Sequence, residues 1–357
     1  MNEMVNCGVL GAGWWSTTAH LPALRDHPKA RIVAVQKRDR EAAERVARDF
    51  GADRGVTSVD EMMDLGGIDA VAIGSTPNQH YHEAKTCLEH GCHVLVEKPM
   101  TITAAEAEEL VVLAEEKGLH LLISCPWHYT AHGREARRLI ADGSLGALKL
   151  VSMLFTNFAG PLYRSRSWKE IFEEGGDENY AEPYLTPGIE SYSDPRVAGG
   201  GHIYSQVSHA AAYLGLLTDS EPAEVFARFD NSEIEIDAYD ALCLRLKNGG
   251  LVTLASTGDT MLSKRHFEIR AYGTDGMLLM ELWEGTMEFH PRRGDFVTFP
   301  KLSEADSYPL HAPAINLVDA ALGDAENLSP GSLGGYAMRI IEASCESART
   351  RKNVRIG

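Results

Sequence analysis

At 357 residues the chain exceeds the usual length of one domain, and its 44% hydrophobic content supplies enough apolar side chains for two cores. The formal charge of −17 would repel phosphate backbones and anionic lipid surfaces, so nucleic acid and membrane surfaces are excluded as expected partners. Every hydrophobic run stops short of the roughly 20 residues that a membrane-spanning helix needs. The first residues, MNEMVNCGVL, lack the pattern of a secretory signal.

The six cysteines indicate a reducing environment. They are scattered without a repeated C-x-x-C, which favours free thiols over a disulfide framework. The tightest group, Cys87, His90, Cys92 and His93, matches no known zinc-ligand spacing. The sequence therefore predicts a cytoplasmic protein without a metal site.

The first 125 residues alternate short apolar runs with helical patterns. The segments between the runs, residues 41–50, 79–89 and 104–117, carry apolar residues at the three- and four-residue spacing of amphipathic helices. Such alternation predicts an α/β domain over residues 1–125, with helices on both faces of a doubly wound parallel sheet. The predicted strands are VNCGVL, RIVAV, IDAVAIG, HVLVEKP and LHLLIS.

A glycine-rich turn follows the first predicted strand. Gly11 permits a tight turn, Gly13 lets the backbone approach a pyrophosphate, and Trp14 and Trp15 open the helix whose N-terminus would stabilise that anion. Ser16 stands where the usual fingerprint has a third glycine. The turn predicts a dinucleotide site.

The end of the second predicted strand bears on the choice of dinucleotide. NAD-binding versions usually place an acidic residue there to bind the ribose hydroxyls, whereas this chain has Lys37 and Arg38. Two cations suit a 2′-phosphate, so the sequence favours NADP, with NAD as the alternative. The competing interpretation is two solvated cations at the start of a helix.

Two later strand ends add candidate residues at the same sheet edge. Ser75, Thr76 and Pro77 follow IDAVAIG, and His80 lies at the start of the next helix. Loops at the carboxyl ends of parallel strands are where such sheets bind ligands. The next strand ends at Glu97 and Lys98, which we expect near the nicotinamide.

Residues 126–357 predict a second domain of the α+β class. A helix is expected over about residues 133–142, and the following stretches alternate apolar and polar residues, separated by Asn-Gly, Asp-Gly and Glu-Gly turns. This pattern is typical of a large, mostly antiparallel open sheet with one buried face. Residues 160–201 are rich in Gly, Pro, Tyr and acidic residues. This composition predicts a long loop that covers a site. A closing helix, about residues 334–350, is expected to pack back on the first domain.

Taken together, the motifs strongly resemble the Gfo/Idh/MocA family, the glucose-fructose oxidoreductase and inositol dehydrogenase group. The resemblance implies a Rossmann domain, a C-terminal domain with an open sheet, and a homodimer or homotetramer formed through that sheet. It also implies that Lys98 is the catalytic lysine of a Glu-Lys-Pro motif. The segments that carry it are GAGWW, DAVAIGSTPNQHYHEA, GCHVLVEKPM, GGGHIYSQVSH and GYAMRIIEASCESARTRKNV.

In that family, an aspartate and a histidine four residues apart follow a glycine run and bind the sugar with its reacting hydroxyl. His209 matches the histidine here, whereas Ser205 stands in place of the aspartate. Histidine is suited to exchanging a proton near neutral pH. The resemblance thus implies that Lys98 and His209 handle the proton, with Ser205 relaying or orienting it.

A second departure from the family concerns the substrate. His128, beside Trp127, stands where relatives present an arginine before an aromatic residue. Aromatic side chains beside a few polar groups suit carbohydrate faces, although tyrosine and tryptophan in loops more often serve packing. The remaining predicted substrate-binding residues are Tyr163, Arg164, Trp168 and Tyr204.

We therefore expect an oxidoreductase that transfers a hydride between NADP, or NAD, and a secondary alcohol or ketone of a sugar, cyclitol or related polyol. One alternative is a redox-neutral glycosidase of the same fold, which oxidises a sugar transiently and then reduces it again. Ser205, His202, Tyr204 and the 160–201 stretch leave room for that chemistry. A third is a cofactor-binding regulator without activity, against which Lys98 and His209 argue.

Overall fold

The chain forms two compact units in the computed structural model, which describes residues 4–175, 182–261 and 264–357. The first unit comprises Met1–Pro126, Asp177–Ser191 and Leu310–Gly335, and the second comprises Trp127–Gly176, Tyr192–Pro309 and Tyr336–Gly357. Of the closing helix, residues 331–335 thus belong to the first unit and the rest to the second. The division into folding domains at residue 125 stays a prediction.

A six-stranded parallel sheet organises the first unit, and the predicted Rossmann-type fold is confirmed. Its order is β3-β2-β1-β4-β5-β6, so the strand order reverses between β1 and β4, where doubly wound sheets bind ligands. The strand RGV at residues 54–56 was not predicted, because three residues carry too short a pattern. The strands are β1 Val5–Leu10, β2 Ala30–Gln36, β3 Arg54–Val56, β4 Ala70–Ile73, β5 His93–Val96 and β6 Leu121–Ile123.

A nine-stranded sheet organises the second unit, in the order β14-β13-β12-β11-β7-β10-β9-β8-β15. All neighbouring strands pair antiparallel except β7 and β10, which confirms the mostly antiparallel sheet. Exposed and buried residues alternate strictly along β9, as expected of a sheet with one buried face. The strands are β7 Leu148–Thr156, β8 Pro222–Asp230, β9 Tyr239–Leu246, β10 Leu251–Thr257, β11 His266–Gly273, β12 Gly276–Glu281, β13 Thr286–Pro291, β14 Val297–Thr298 and β15 Val354–Arg355.

The helices begin and end at recognisable signals. Thr103 and Glu106 form a reciprocal capping box at the start of α5, and Gly118 ends it in the left-handed conformation. Within the described residues, no helix combines the length and the apolar character needed to cross a membrane. The helices are α1 Leu21–Asp26, α2 Arg40–Phe50, α3 Val59–Met63, α4 Pro77–Glu89, α5 Ala104–Lys117, α6 Ala131–Ala141, α7 Gly160–Tyr163, α8 Trp168–Gly175, α9 Glu190–Ser193, α10 Pro195–Ala198, α11 Ser208–Thr218, α12 Glu304–Ser307, α13 Ala312–Leu322 and α14 Gly331–Thr350.

The core of the first unit draws on both ends of the chain. Val9 of β1 and Leu24 of α1 belong to the same buried cluster as Leu317 and Val318 of α13. The α13 helix therefore completes a core that the N-terminal strands begin.

The predicted long loop over residues 160–201 contains four short helices, α7 to α10, and residues 176–181 lie outside the described part. Proline lies in the first turn of both α7 and α10, as Pro161 and Pro195, and Asp194 caps α10. Proline and aspartate are turn formers and also favoured residues at helix starts, so the same composition fits both structures.

Candidate active site

The glycine turn after β1 has the geometry that its sequence predicted. Gly11 has φ +64°, and a Cβ there would collide with the backbone of Ser75, so this position requires glycine. A Cβ added at Gly13 would meet only the Gly11 carbonyl oxygen, at 3.9 Å, among described atoms. The backbone at Gly13 is thus open to the close approach of a ligand.

The helix after this turn contains a π-helical segment, Ser16–His20, which runs into α1. Ser16 Oγ donates to the Gly11 carbonyl at 2.8 Å and lies against Gly74, so the residue at the third glycine position braces the turn. Trp14 and Trp15, both partly exposed, pack edge to face with ring centroids 5.5 Å apart.

Gln36 and Lys37 at the end of β2 hold the glycine turn. The Gln36 amide oxygen accepts the Gly11 N–H at 3.0 Å, and Lys37 Nζ donates to the Ala12 carbonyl at 3.0 Å. Arg38 is exposed. Burial lowers the pKa of Lys37, and the neighbouring Arg45 and Arg38 lower it further. The strand end is therefore a concentration of positive charge beside the turn.

The turn after β4 places the next predicted group. Ser75 Oγ donates to Glu83 Oε2 at 2.5 Å, and burial raises the pKa of Glu83 to about 7. Thr76 precedes Pro77, the first residue of α4, and its hydroxyl bonds the Asn78 side chain. These contacts fix the shape of the turn against α4.

His80 is buried, and both of its ring nitrogens contact backbone carbonyls. Nδ1 lies 2.8 Å from the Pro99 oxygen and Nε2 lies 3.1 Å from the Ser75 oxygen. The ring thus ties the turn after β4 to the residue that follows Lys98. This arrangement favours a positioning role over the direct cofactor contact that the sequence suggested.

Lys98 follows β5 and is supported by two residues that contact each other. Glu97 Oε1 lies 3.0 Å from His20 Nε2, and Glu97 Oε2 accepts the Lys98 backbone N–H at 3.3 Å. Burial acts to raise the pKa of Glu97, but His20, Lys98 and Ser124 outweigh it, so that the pKa is lowered. Burial lowers the pKa of Lys98, against the effects of Glu97 and Cys125. A lysine with a lowered pKa at a strand end is suited to proton transfer.

In the second unit, Trp127 and His128 are buried in an aromatic core. Trp127 contacts five aromatic rings: those of Phe155, His209, Phe267, Trp283 and Tyr308. Burial lowers the pKa of His128 to about 3, which keeps its ring neutral. Their burial indicates packing, and their contact with substrate stays a prediction.

His209 lies on α11, one turn after Ser205. Its ring meets the Trp127 ring edge to face at 5.2 Å and stacks near Phe155 at 6.4 Å. Ser205 lies within a second π-helical segment, Ile203–Val207, which runs into α11. Such segments frequently mark functional sites.

The remaining predicted substrate residues have different surroundings. Tyr163 is buried, and its hydroxyl lies 2.8 Å from His202 Nδ1 and 2.7 Å from Ser205 Oγ. Arg164 is exposed and forms a two-pronged ion pair with Asp259, at 2.6 and 2.7 Å. Trp168 packs on Phe172 at 4.9 Å. Tyr204 lies against Gly200, where a Cβ would approach its ring.

Two family models match most of the chain. The model described as "Oxidoreductase family, NAD-binding Rossmann fold" matches residues 5–124, and "GFO/IDH/MocA C-terminal domain" matches residues 134–279. The chain belongs to the Gfo/Idh/MocA oxidoreductase family.

Named relatives agree with this family. A dTDP-3,4-didehydro-2,6-dideoxy-alpha-D-glucose 3-reductase of Streptomyces antibioticus is 37% identical over 42% of this chain and 45% of the relative. The scyllo-inositol 2-dehydrogenase (NADP(+)) of Bacillus subtilis is 28% identical over 47% of this chain and 46% of the relative. The chain thus matches about half the length of these curated relatives. An oxidoreductase domain protein from Kribbella flavida shares the fold, with a TM-score of 0.82 at 19% identity over 99% of both chains.

Sequence motifs of the Gfo/Idh/MocA family pointed to Gly11, Gly13 and Lys98 but not to the residues that support them. His20 lies outside the motif segments and Glu83 lies within one of them, but both were missed because their contacts depend on the fold. The buried carboxylates Asp237 and Asp240 near His202 were missed for the same reason. Among the described residues, no group of three or more metal-binding side chains comes together.

Proposed function

We propose that this member of the Gfo/Idh/MocA family is an NADP-dependent oxidoreductase acting on a secondary alcohol or the corresponding ketone of a sugar, cyclitol or related polyol. The observation that carries the proposal is Lys98, which follows β5 with a lowered pKa, in the same unit as the open Gly11–Gly13 turn. Both lie at carboxyl ends of strands in one parallel sheet, the edge at which such sheets bind ligands.

The residues around the glycine turn fit a dinucleotide. Gly13 leaves room for a pyrophosphate at a helix N-terminus, and Lys37 and Arg38 offer positive charge to a 2′-phosphate. The turns at Ser75–Pro77 and Glu97–Lys98 complete the proposed binding residues, with Trp14 and Trp15 beside the turn. When bound, the nicotinamide supplies the hydride acceptor or donor.

The chain's own residues handle the proton. During oxidation, the substrate hydroxyl loses its proton as the hydride leaves the same carbon. We assign the handling of that proton to Lys98 and His209, which stabilise the negative charge that develops on the reacting oxygen, and we assign Ser205 to relaying or orienting the proton. The lowered pKa of Lys98 supports its exchanging a proton nearer to neutral pH than an ordinary lysine does.

The relatives support the substrate class. One is named as a reductase of a dTDP-linked deoxysugar, and another as a dehydrogenase of scyllo-inositol that uses NADP(+). Both names describe redox chemistry on a ring carbon that bears oxygen. A sugar or cyclitol is accordingly the substrate class that we propose.

The exposed face of the nine-stranded sheet supports self-association. Four large apolar side chains are exposed on four adjacent strands of that sheet: Leu154 of β7, Phe226 of β8, Tyr239 of β9 and Leu251 of β10. Large apolar side chains exposed together on one sheet are typical of interfaces. We propose that this face joins copies of the chain into a homodimer or homotetramer.

The experiment is a calorimetric titration with NADPH and NADH, followed by an absorbance screen of oxidised cofactor with a panel of sugars and polyols. Tighter NADPH binding and formation of reduced cofactor on one polyol are the expected results. Tight binding with product formation but no accumulated reduced cofactor would instead indicate a redox-neutral glycosidase. Binding without any turnover would indicate a regulator.

A further inference from the structure

A chain of four buried side chains crosses the second unit from the helix that carries Ser205 to the sheet. Ser205 Oγ lies 2.7 Å from the Tyr163 hydroxyl, and that hydroxyl lies 2.8 Å from His202 Nδ1. On the other side of the ring, His202 Nε2 lies 2.6 Å from Ser256 Oγ. Ser256 Oγ then donates to the Phe155 carbonyl of β7 at 2.8 Å.

The last link sets the direction of every other link when the imidazole is neutral. A carbonyl oxygen only accepts, so Ser256 gives its one hydrogen to Phe155 and must accept from His202 Nε2. The Nδ1 atom of a neutral ring then lacks a hydrogen and accepts from Tyr163. Tyr163 donates its one hydroxyl hydrogen to His202, so the Tyr163 oxygen accepts a hydrogen bond from Ser205. Any further partner of Ser205 Oγ must therefore be a donor, such as the hydroxyl of an alcohol.

Carboxyl groups near His202 would stabilise a positive charge that forms on its ring during the reaction. The Asp237 carboxylate accepts the Gly201 and Ile203 N–H groups on either side of His202, at 3.1 and 2.6 Å. Burial raises the pKa of Asp240 well above its usual range, and the nearby Asp237 adds to this rise.

Other titratable groups face the same region. Burial acts to raise the pKa of Asp259, but Arg164, Tyr239 and His202 outweigh it, so that the pKa is lowered and the carboxylate is charged. Tyr192 lies near Tyr163, and Cys345 lies near Asp237 and Asp240. Of the described groups named here, three are aspartates and one is a cation, Arg164, which is already paired with Asp259.

We propose that Ser205, Tyr163, His202 and Ser256 form a directed proton relay, in which Ser205 accepts the proton of the substrate hydroxyl and His202 stores it. The proposal rests on the proposed function and deepens it. Ser205 replaces the family's aspartate, and the relay supplies His202 as the base that takes the proton from Ser205. Ser205 is the catalytic residue of this set, and Tyr163 and His202 act through it.

The step needs no reactant beyond the substrate and the oxidised dinucleotide of the proposed function. The substrate O–H bond breaks and its proton bonds to Ser205 Oγ, while the original Ser205 proton moves to Tyr163 and the Tyr163 proton moves to His202 Nδ1. The ring becomes an imidazolium that still donates from Nε2 to Ser256. The electron pair of the substrate C–H bond leaves with the hydride, which the oxidised dinucleotide of the proposed function takes up. Ketone reduction runs the same shifts backwards.

The first test reads the relay without any turnover. In protein labelled with ¹⁵N-histidine, the His202 resonances are assigned by their loss in His202→Gln. A neutral ring with its hydrogen on Nε2 is expected. A hydrogen on Nδ1 overturns the relay even if the enzyme oxidises polyols. The expected tautomer without turnover on any polyol overturns the proposed function and not the hydrogen-bond direction.

The second test uses Tyr163→Phe, which removes the central hydroxyl and keeps the ring. We expect kcat for alcohol oxidation to fall by about 10²-fold with little change in KM. In wild type we expect the rate to fall toward low pH, because a His202 ring that is already protonated cannot take up the proton. This fall should disappear in Tyr163→Phe. The matched control is Tyr213→Phe, which removes a buried hydroxyl without a hydrogen-bond partner among the described residues. Its kcat and pH profile should match wild type.

An unchanged kcat and pH profile in Tyr163→Phe would overturn the relay. Circular dichroism and thermal melting check that both tyrosine variants fold. If Tyr163→Phe does not fold, Ser205→Ala and Ser205→Thr supply the comparison. Ser205→Thr should keep the low-pH fall in rate because it keeps the hydroxyl, and loss of that fall in both variants alike would contradict the relay.

Discussion

The imidazole of His20 and the carboxylate of Glu97 meet at 3.0 Å in the interior of the first unit, although 77 residues separate them in the chain. The second oxygen of Glu97 accepts the backbone N–H of Lys98. The π-helical segment that carries His20 is therefore linked through one carboxylate to the backbone of the proposed catalytic lysine.

Replacing His20 by phenylalanine should leave the buried Glu97 carboxylate without this partner. We expect His20→Phe to lower the free energy of unfolding by about 2 kcal/mol, the size of a hydrogen bond to a charged group, and to reduce kcat. Urea denaturation measures the first effect. The control is His290→Phe, which breaks a 2.8 Å pair with Glu288 at a more exposed position and should cost less than about 0.5 kcal/mol. Equal losses in the two variants would contradict the role of burial.

Lys98→Met should remove the amine while keeping most of the side-chain volume. We expect kcat to fall by about 10³-fold, within the range of general acid–base catalysis, while the Kd for the cofactor stays nearly unchanged. Steady-state kinetics and calorimetry measure the two quantities. Lys117→Met, at the exposed end of α5, is the matched control and should have no effect on either. Near-normal turnover with unchanged cofactor affinity would refute the assignment of Lys98.

Arg38→Gln tests the preference for NADP. Removing one charge-assisted contact to a 2′-phosphate should raise the Kd for NADPH about tenfold and leave the Kd for NADH unchanged. Titrations with both cofactors measure the ratio. Arg48→Gln, on the exposed surface of α2, is the control and should bind both cofactors like wild type. Equal losses for NADPH and NADH would place Arg38 away from the 2′ position.

Glu83 should make the stability of the protein depend on pH near neutrality. Burial raises its pKa from 4.5 to about 7, so between these values the folded protein holds a proton that the unfolded chain releases. Stability therefore falls as the pH rises through this window, and the full penalty is present at pH 8. Glu83→Gln cannot ionise, so its free energy of unfolding should not fall in this way. The difference in unfolding free energy between Glu83→Gln and wild type should be up to about 3 kcal/mol larger at pH 8 than at pH 4.

Urea denaturation at several pH values measures this difference. The exposed Glu115→Gln on α5 provides the control and should follow the wild-type curve. A pH-independent offset between Glu83→Gln and wild type would mean that Glu83 does not titrate in this range.

Leu251→Lys tests the exposed sheet face. Leu251 is 48% exposed on β10, and a charge there should prevent apolar contact between two copies. Size-exclusion chromatography with light scattering should report a lower mass than for wild type. Val112→Lys introduces the same charge at a 45% exposed position on α5 and should leave the mass unchanged. Identical masses for both variants and wild type would contradict the proposed interface.

The periodicity of the sequence was sufficient to predict the order of the elements. Five of the six parallel strands and the major strands of the second sheet follow from apolar runs, because each buries one or both faces. The strand at Arg54–Val56 and the four-residue helices α7, α9 and α10 did not follow, because segments of three or four residues carry no readable period. The eight-residue helix α8 was also missed.

Some residues of the candidate site were predictable from the sequence and others were not. Gly11 was predictable because its backbone conformation demands glycine wherever such a turn occurs. His202 and Ser256 were not predictable as partners, because 54 residues separate them and the sheet alone brings them together. Motifs thus report local backbone requirements, whereas contacts between side chains far apart in sequence require the fold.

The position of α13 has a consequence for synthesis of the chain. Leu317 and Val318 share a buried cluster with Val9, so the core of the first unit stays incomplete while the ribosome makes almost the entire second unit. Domains commonly fold in order as they emerge, N-terminal first. Here the parallel sheet, whose last strand ends at Ile123, keeps an uncovered apolar surface until α13 begins at Ala312. A nascent chain stalled before α13 is therefore the form most exposed to chaperones and to aggregation.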